Sequence, residues 1–414
     1  MPHVVLLGTL DTKGSEYAFL RQCLVKAGLD VTLVDAGVIG VSQVAPDIDR
    51  TEVARRADAR VEDLVAAGDR GAAVAAMAEG AAVLVRELHT AGQLDGILGL
   101  GGTGGTALVT RAMRELPIGV PKLMVSTVAS GETRQYVGAV DITMMYSVVD
   151  IAGINKISRR ILSNAAGAMA GMVRFVGASA PDERPLIGAT MFGVTTPCVQ
   201  AARAHLEDLG YEVLVFHATG TGGDSMEALV RAGMLVGVLD ITTTELADEL
   251  VGGVFAAGAQ RLTGPGCAGI PHVVSVGALD MVNFGPPETV PAQFAARTFY
   301  QHNPAVTLMR TTPQENAELG RRLADRVSRS SAPVSVFLPL RSVSLIDAAG
   351  QPFHDPTADA ALFAAIRSGI GPDVELVEVD ADINDEQFAV AMAEALHRAI
   401  AAGIQPRESE NDAH

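Results

Sequence analysis

Tryptophan is absent, aromatic residues make up 4% of the chain, and only three cysteines occur among 414 residues. Cys23, Cys198 and Cys267 are isolated and odd in number, which excludes a disulfide framework and a CxxC metal spacing and fits the reducing cytoplasm. Basic residues are also scarce: 31 Lys and Arg against 48 Asp and Glu leave a formal charge of −17. A grip on nucleic acid needs the opposite balance. No run reaches the roughly 20 apolar residues that span a bilayer; the longest uncharged alanine-rich run, Ile161 to Val173, contains Ser163 and Asn164. Met1 to Thr9 lacks a basic leader and Asp11 interrupts it, so no secretory signal is expected. The expectation is a soluble, cytoplasmic globular protein of two domains, with no nucleic-acid or membrane partner.

What the chain has in quantity is small aliphatic residues, 48% hydrophobic in all, which suits close packing of helices on a sheet. Short runs of Val, Ile and Leu alternate with segments of helical period, the pattern of βαβ units. Strands are predicted at His3 to Leu7, Val31 to Asp35, Gly96 to Leu100 and Lys122 to Thr127, with helices over Ser15 to Ala27, most of Thr51 to Thr90, and Thr106 to Glu115. The second half repeats the plan, with strands at Pro185 to Met191, Tyr211 to Phe216, Gly237 to Ile241 and His272 to Val276. The fold class predicted is α/β: two Rossmann-like domains with mainly parallel sheets, related by an internal pseudo-repeat. Residues 1–180 are expected to form the first domain and 185–405 the second, joined through Gly177 to Arg184 and followed by a polar tail, 406–414.

The loops at strand carboxyl ends carry the chemistry in such folds. Gly99 to Thr106 follows a strand and opens a helix, and its glycines allow backbone N–H groups to approach phosphate oxygens. Gly101, Gly102, Thr103, Gly104, Gly105 and Thr106 are therefore candidate cofactor contacts. The loop also reads formally as GxGxxG at Gly99, Gly101 and Gly104, the dinucleotide pattern, yet the next strand ends in Ser126 and Thr127 where an acidic residue would be required. Gly8, Thr9, Asp11, Thr12 and Lys13 close the first strand, where Lys13 can neutralise phosphate as a point charge. Thr127, Ala129, Ser130 and Gly131 close a third.

The second half offers a base, carboxylates and an anion-binding arginine: His217, Asp240, Glu245, Asp280, Asn283, His302 and Arg310. Converging on one rim, they would form a catalytic set for a small anionic metabolite, a carboxylate or carbonyl compound. No protein-held metal is expected, because no HxH, HExxH or close Cys pair fixes a geometry. Magnesium would arrive with nucleotide phosphates. Cys198 lacks a readable partner and is expected to be a buried thiol.

These loops, taken with Ser147 to Asn155, Met191 to Cys198, Val215 to Gly220, Leu239 to Glu245 and Ser275 to Gly285, resemble the Tm-one-like ATP-binding domain family over essentially the whole chain. That family includes the N-terminal region of a tomato mosaic virus resistance protein. The resemblance implies a two-domain α/β architecture, ATP held by the N-terminal loops and a tendency to form homodimers. The apolar stretch Met144 to Val173 could serve as an interface or as core. The leading expectation is an ATP-binding protein that acts as an enzyme on a small metabolite at its second domain. The alternatives are a non-catalytic, nucleotide-dependent interaction module and, on GxGxxG alone, an NAD-dependent oxidoreductase.

Overall fold

The computed structural model describes residues 1–175 and 184–404. It divides into two compact units, Met1–Ala180 and Pro181–His414. The expected linker, apart from Arg184, and the expected tail lie outside the described residues.

The first unit contains the strands β1 (His3–Gly8), β2 (Asp30–Asp35), β3 (Gly96–Gly101), β4 (Lys122–Ser126) and β5 (Thr143–Tyr146). Its helices are α1 (Leu10–Lys26), α2 (Arg50–Arg55), α3 (Val61–Ala67), α4 (Arg70–Thr90), α5 (Thr103–Met113), α6 (Arg134–Val137) and α7 (Lys156–Arg174). The sheet order is β2-β1-β3-β4-β5, parallel throughout. Side chains alternate across a strand, so β1 sends Val5 and Leu7 into a core with α4 and α5, and Val4 and Leu6 into one with α1 and α7. Both faces are thus buried, as parallel sheets require. The Met144 to Val173 stretch serves this core: Leu162, Ala165, Ala166, Met169 and Val173 of α7 are buried in it.

Chain order reverses at β1, which lies between β2 and β3, and the connections diverge there to leave a crevice. Tyr17 plugs its base. The buried hydroxyl lies 2.5 Å from the Leu7 carbonyl and 3.1 Å from that of Leu100, and accepts the Leu100 N–H at 2.9 Å. Burial pushes this phenol well above its ordinary pKa, so it stays a donor. A Cβ at Gly8 would sit 1.8 Å from the same hydroxyl, which explains the glycine.

Helices begin earlier than the sequence suggests. The Asp35 carboxylate accepts the Leu10 N–H at 3.1 Å, so α1 starts inside the predicted loop and is interrupted at Lys13 (φ −128, ψ 19). Likewise α5 begins at Thr103, because burial of Leu108, Val109 and Ala112 outweighs the poor helix propensity of Gly104 and Gly105. The long helical segment from Thr51 breaks into α2, α3 and α4, with left-handed backbone at Asp58 (φ 52) and Gly68 (φ 65).

The second unit contains β6 (Leu186–Met191), β7 (Glu212–His217), β8 (Gly237–Thr242), β9 (His272–Gly277), β10 (Met281–Phe284), β11 (Phe299–Asn303), β12 (Val306–Arg310), β13 (Val334–Pro339) and β14 (Val374–Val379). Its helices are α8 (Thr196–Asp208), α9 (Thr221–Arg231), α10 (Glu245–Val251), α11 (Gly264–Ala268), α12 (Pro313–Ser328), α13 (Pro356–Gly369) and α14 (Glu386–Ile404). Read from β7, the parallel sheet runs β7-β6-β8-β9-β13-β14, so its first five strands repeat the order of the first unit. The departure is an antiparallel sheet, β10-β12-β11, inserted after β9. Asn283, His302 and Arg310 therefore stand on antiparallel strands instead of on loops at a parallel rim.

Gly99 tests the closeness of helix-on-sheet packing, since a Cβ there would lie 2.4 Å from Val109 Cγ1 and 3.1 Å from the Leu7 carbonyl oxygen. Gly99→Ala is expected to cost about 1–3 kcal/mol by overpacking, read as a lower urea midpoint. An unchanged midpoint would contradict this packing.

Candidate functional site

A cavity of about 600 Å³ opens where β1, β2 and β3 end. Thr9, Asp11, Thr12 and Lys13 line it from the start of α1, Val38 and Ile39 from the loop after β2, and Gly101 to Gly105 from the start of α5. Gly68, Asp69 and Arg70 bring in the start of α4, so three helix starts border one space, of which α1 is met by the Asp35 carboxylate and α4 by that of Asp69. The α5 start is the barest. Gly102 at its N-cap offers no side-chain acceptor, and a Cβ on Gly104 would meet nothing within 4 Å. A Cβ on Gly101, in contrast, would lie 2.9 Å from the Gly105 Cα, so that glycine closes the turn.

Lys13 donates its ammonium to the Ile151 carbonyl, which holds it at the cavity edge. Asp11 Oδ2 accepts the N–H groups of Ile39 at 2.9 Å and Gly40 at 3.3 Å, fixing the loop after β2, while its Oδ1 is buried without a partner. Thr9 and Thr12 hydroxyls lie 3.0 Å apart. Other predicted contacts are placed elsewhere. Gly8 faces Tyr17, Thr106 is buried against the Ser126 hydroxyl at 2.7 Å, and Thr127, Ala129, Ser130 and Gly131 do not line the cavity. Arg70, Val38, Ile39, Leu64 and Val65 line it without having been singled out in the sequence. The one local signal for them was Gly68-Asp69, a helix stop followed by an N-cap residue.

The second unit's candidates separate into buried clusters and exposed histidines. Arg261, 1% exposed, lies between Asp240 and Glu245: its Nη1 donates to Asp240 Oδ2 at 2.6 Å and its Nε to Glu245 Oε2 at 2.6 Å. Thr190 Oγ1 also donates to Asp240, at 2.7 Å. Burial opposes the Asp240 charge, yet Arg261 holds that carboxyl below the usual range; burial pushes Glu245 up. The other oxygen of Glu245 accepts the N–H groups of Gly220 at 2.8 Å and Gly223 at 3.1 Å, so it occupies the start of α9. Asn283 donates to Asp248 at 2.6 Å, and burial pushes Asp248 up to about 7. Arg310 donates to Asp347 at 3.1 Å and Asp359 at 2.7 Å, while Asp280 accepts from Ser344 at 2.8 Å. Phe192, Val194, Met281, Leu308, Ile346 and Phe353 form an apolar cluster that includes the inserted sheet. His217 and His302 remain exposed, the first 6.0 Å edge-to-face from the Phe192 ring. Cys198 is buried, which pushes its thiol up.

Among the described residues no helix is long and apolar enough to cross a membrane, and no three His, Cys, Asp or Glu are grouped to hold a metal ion.

Two α/β domains with parallel sheets of one strand order define the class. Residues 2–178 match the model described as "Uncharacterised protein family (UPF0261) N-terminal domain" and residues 184–400 its C-terminal counterpart, so the chain belongs to the UPF0261 family. A UPF0261 protein of Clostridium tetani is 52% identical over 394 residues, covering 95% of this chain and 98% of that one. The ToMV resistance protein Tm-1(GCR237) of Solanum lycopersicum is 41% identical, covering 95% of this chain and 55% of its own length. The kinship with the tomato protein is thereby established, and the chain spans about half of it. Among solved structures, a UDP-GlcNAc 2-epimerase of Methanocaldococcus jannaschii covers 96% of this chain and is itself covered to 92%, at 8% identity and a TM-score of 0.23, too low to carry a reading of function.

The second unit's carboxylates make stability depend on pH. Burial, then the nearby Asp347 charge, pushes Asp280 up to about 7, and burial pushes Asp359 up to about 7. A carboxyl near 3.9 when unfolded that titrates higher when folded contributes stability present below about pH 4 and lost as pH rises through about 7. Asp280→Asn should therefore gain on the wild type between about pH 5 and 8 in urea midpoints; a pH-independent difference would contradict the buried proton.

Proposed function

We propose that the first unit binds ATP or a closely related nucleotide, with its phosphates at the start of α5 and its accompanying Mg²⁺ carried on those phosphates. The observation that supports this most is the uncapped α5 start, Gly102 to Gly105, opening on a cavity of about 600 Å³ at the β1/β3 reversal. Lys13 and Arg70 stand on the same cavity and could meet phosphate oxygens, beside the carboxylates of Asp11, Asp69 and Asp150. Catalysis on a small carboxylate at the second unit has less behind it, because Asp240, Glu245, Asp280, Asn283 and Arg310 are all buried and each holds an internal partner, although Asp280 Oδ1 and Asn283 Oδ1 are left without one. An NAD reading is weaker still, since Gly99 and Gly101 answer to packing.

Calorimetric titration of the full chain with ATP and magnesium should give saturable binding. Gly104→Ala should weaken it about tenfold or more by filling ligand space, with no loss of thermal stability, since alanine in a compatible helical position stabilises. Lys13→Ala should weaken it as well. No heat of ATP binding in the wild type, or full affinity in Gly104→Ala, would overturn the proposal.

A further inference from the structure

The nucleotide cavity has two unlike walls. Lys13 and the α5 start form the polar one, and Val38, Ile39, Leu64 and Val65 form an apolar one, in which Val38 and Leu64 pack partly on the core while Ile39 and Val65 stand exposed. Ile39 is 70% exposed and Val65 53%, so large aliphatic side chains from two separate segments stand in solvent at the rim of one cavity. Isolated exposed aliphatics need no explanation, but two sets lining one space do.

The segment that carries Leu64 and Val65 is lightly held. None of the seven residues of α3 is buried, and only Val61 and Leu64 pack, partly, on the core. A helix of that length has little stability of its own. Left-handed backbone lies on either side of it, at Asp58 (φ 52), where the Asp58 and Ala59 N–H groups close α2 on the Arg55 and Ala54 carbonyls, and at Gly68 (φ 65). Such positions at both ends of a short, unburied helix are where a rigid-body swing would be absorbed.

From these observations we infer that α3 is a hinged flap that closes with Leu64 and Val65 against Val38 and Ile39, clasping the flat, apolar-faced end of the ligand, its nucleobase. This rests on the nucleotide reading and sharpens it. The phosphates engage the α5 start and the base engages the flap, so the ligand class is a nucleotide and not an inorganic polyphosphate or a sugar phosphate. Closure removes the exposed aliphatic surface from water, which supplies the driving force.

Hydrogen–deuterium exchange on the full chain separates the two claims, with ATP and inorganic tripolyphosphate as probes at concentrations shown by calorimetry to saturate. ATP should slow exchange over residues 59–68 about tenfold or more, and tripolyphosphate should bind without protecting them. Val65→Ser, an exposed substitution expected to fold normally, should weaken ATP several-fold and leave tripolyphosphate unchanged. Saturating ATP with no protection of 59–68, or Val65→Ser weakening both probes equally, would overturn the flap and leave the nucleotide reading standing. Failure of both probes to bind would overturn both.

Discussion

The N–H groups of a helix's first turn have no partner within the helix, and something must accept them. The chain meets this requirement in two ways with one tetrapeptide. Gly102-Thr-Gly-Gly105 opens α5 and Gly220-Thr-Gly-Gly223 opens α9, each leading into a helix of 11 residues. At α9 the acceptor is internal: Glu245 lies against the N–H groups of Gly220 and Gly223, and a Cβ on Gly223 would fall 2.3 Å from its carboxylate. At α5 no side chain caps the helix and a cavity lies in front of it. One helix start is closed by the protein's own anion; the other is available to an anion from outside.

Closing the second site internally takes further structure. A carboxylate taken out of water is costly unless paired, and Glu245 is paired by Arg261, which also serves Asp240 and lies 3.8 Å from Glu227. Glu227 in turn accepts the N–H groups of Leu262 and Gly264, which fixes the segment carrying Arg261. Removing one member of such a buried set leaves a charge without its partner, which typically costs about 3–5 kcal/mol. Arg261 and Arg310 of the second unit are thus engaged with buried carboxylates, Asp248 and Asp280 bond to Asn283 and Ser344, and the inserted sheet adds an apolar cluster with Phe192 and Phe353. In the first unit Arg50 pairs with Asp35 where β2 ends beside the crevice, and Lys122 pairs with Asp141.

Much of this architecture is legible in the sequence because parallel strands are buried on both faces and read as plain apolar runs. β1, β2, β3, β4, β6, β7, β8 and β9 fall within a residue or two of where Val, Ile and Leu cluster. The inserted strands β10 and β12 are four and five residues long and carry Asn283, Thr307 and Arg310, so their pattern does not stand out. Burial was the harder quantity. Asp240 and Glu245 sit at strand and helix ends as functional carboxylates do, and nothing local reveals that Arg261, 16 residues beyond Glu245, returns to neutralise them. The polar wall of the first cavity was readable from its glycines. Its apolar wall was not, since the aliphatic residues of α3 resemble those of any short amphipathic helix until Val65 is seen in solvent.

The proposed division of labour has an external nucleotide in the first unit, while Glu245 fills the start of α9 in the second from within. Photolabelling of the full chain with 8-azido-ATP, followed by peptide mapping, tests it most directly. Labelling, suppressed by excess ATP, is expected in peptides around residues 36–41 and 61–74, which carry the apolar wall. ATP-protected labelling of peptides around His217, Gly220 to Gly223 or His302 would contradict it.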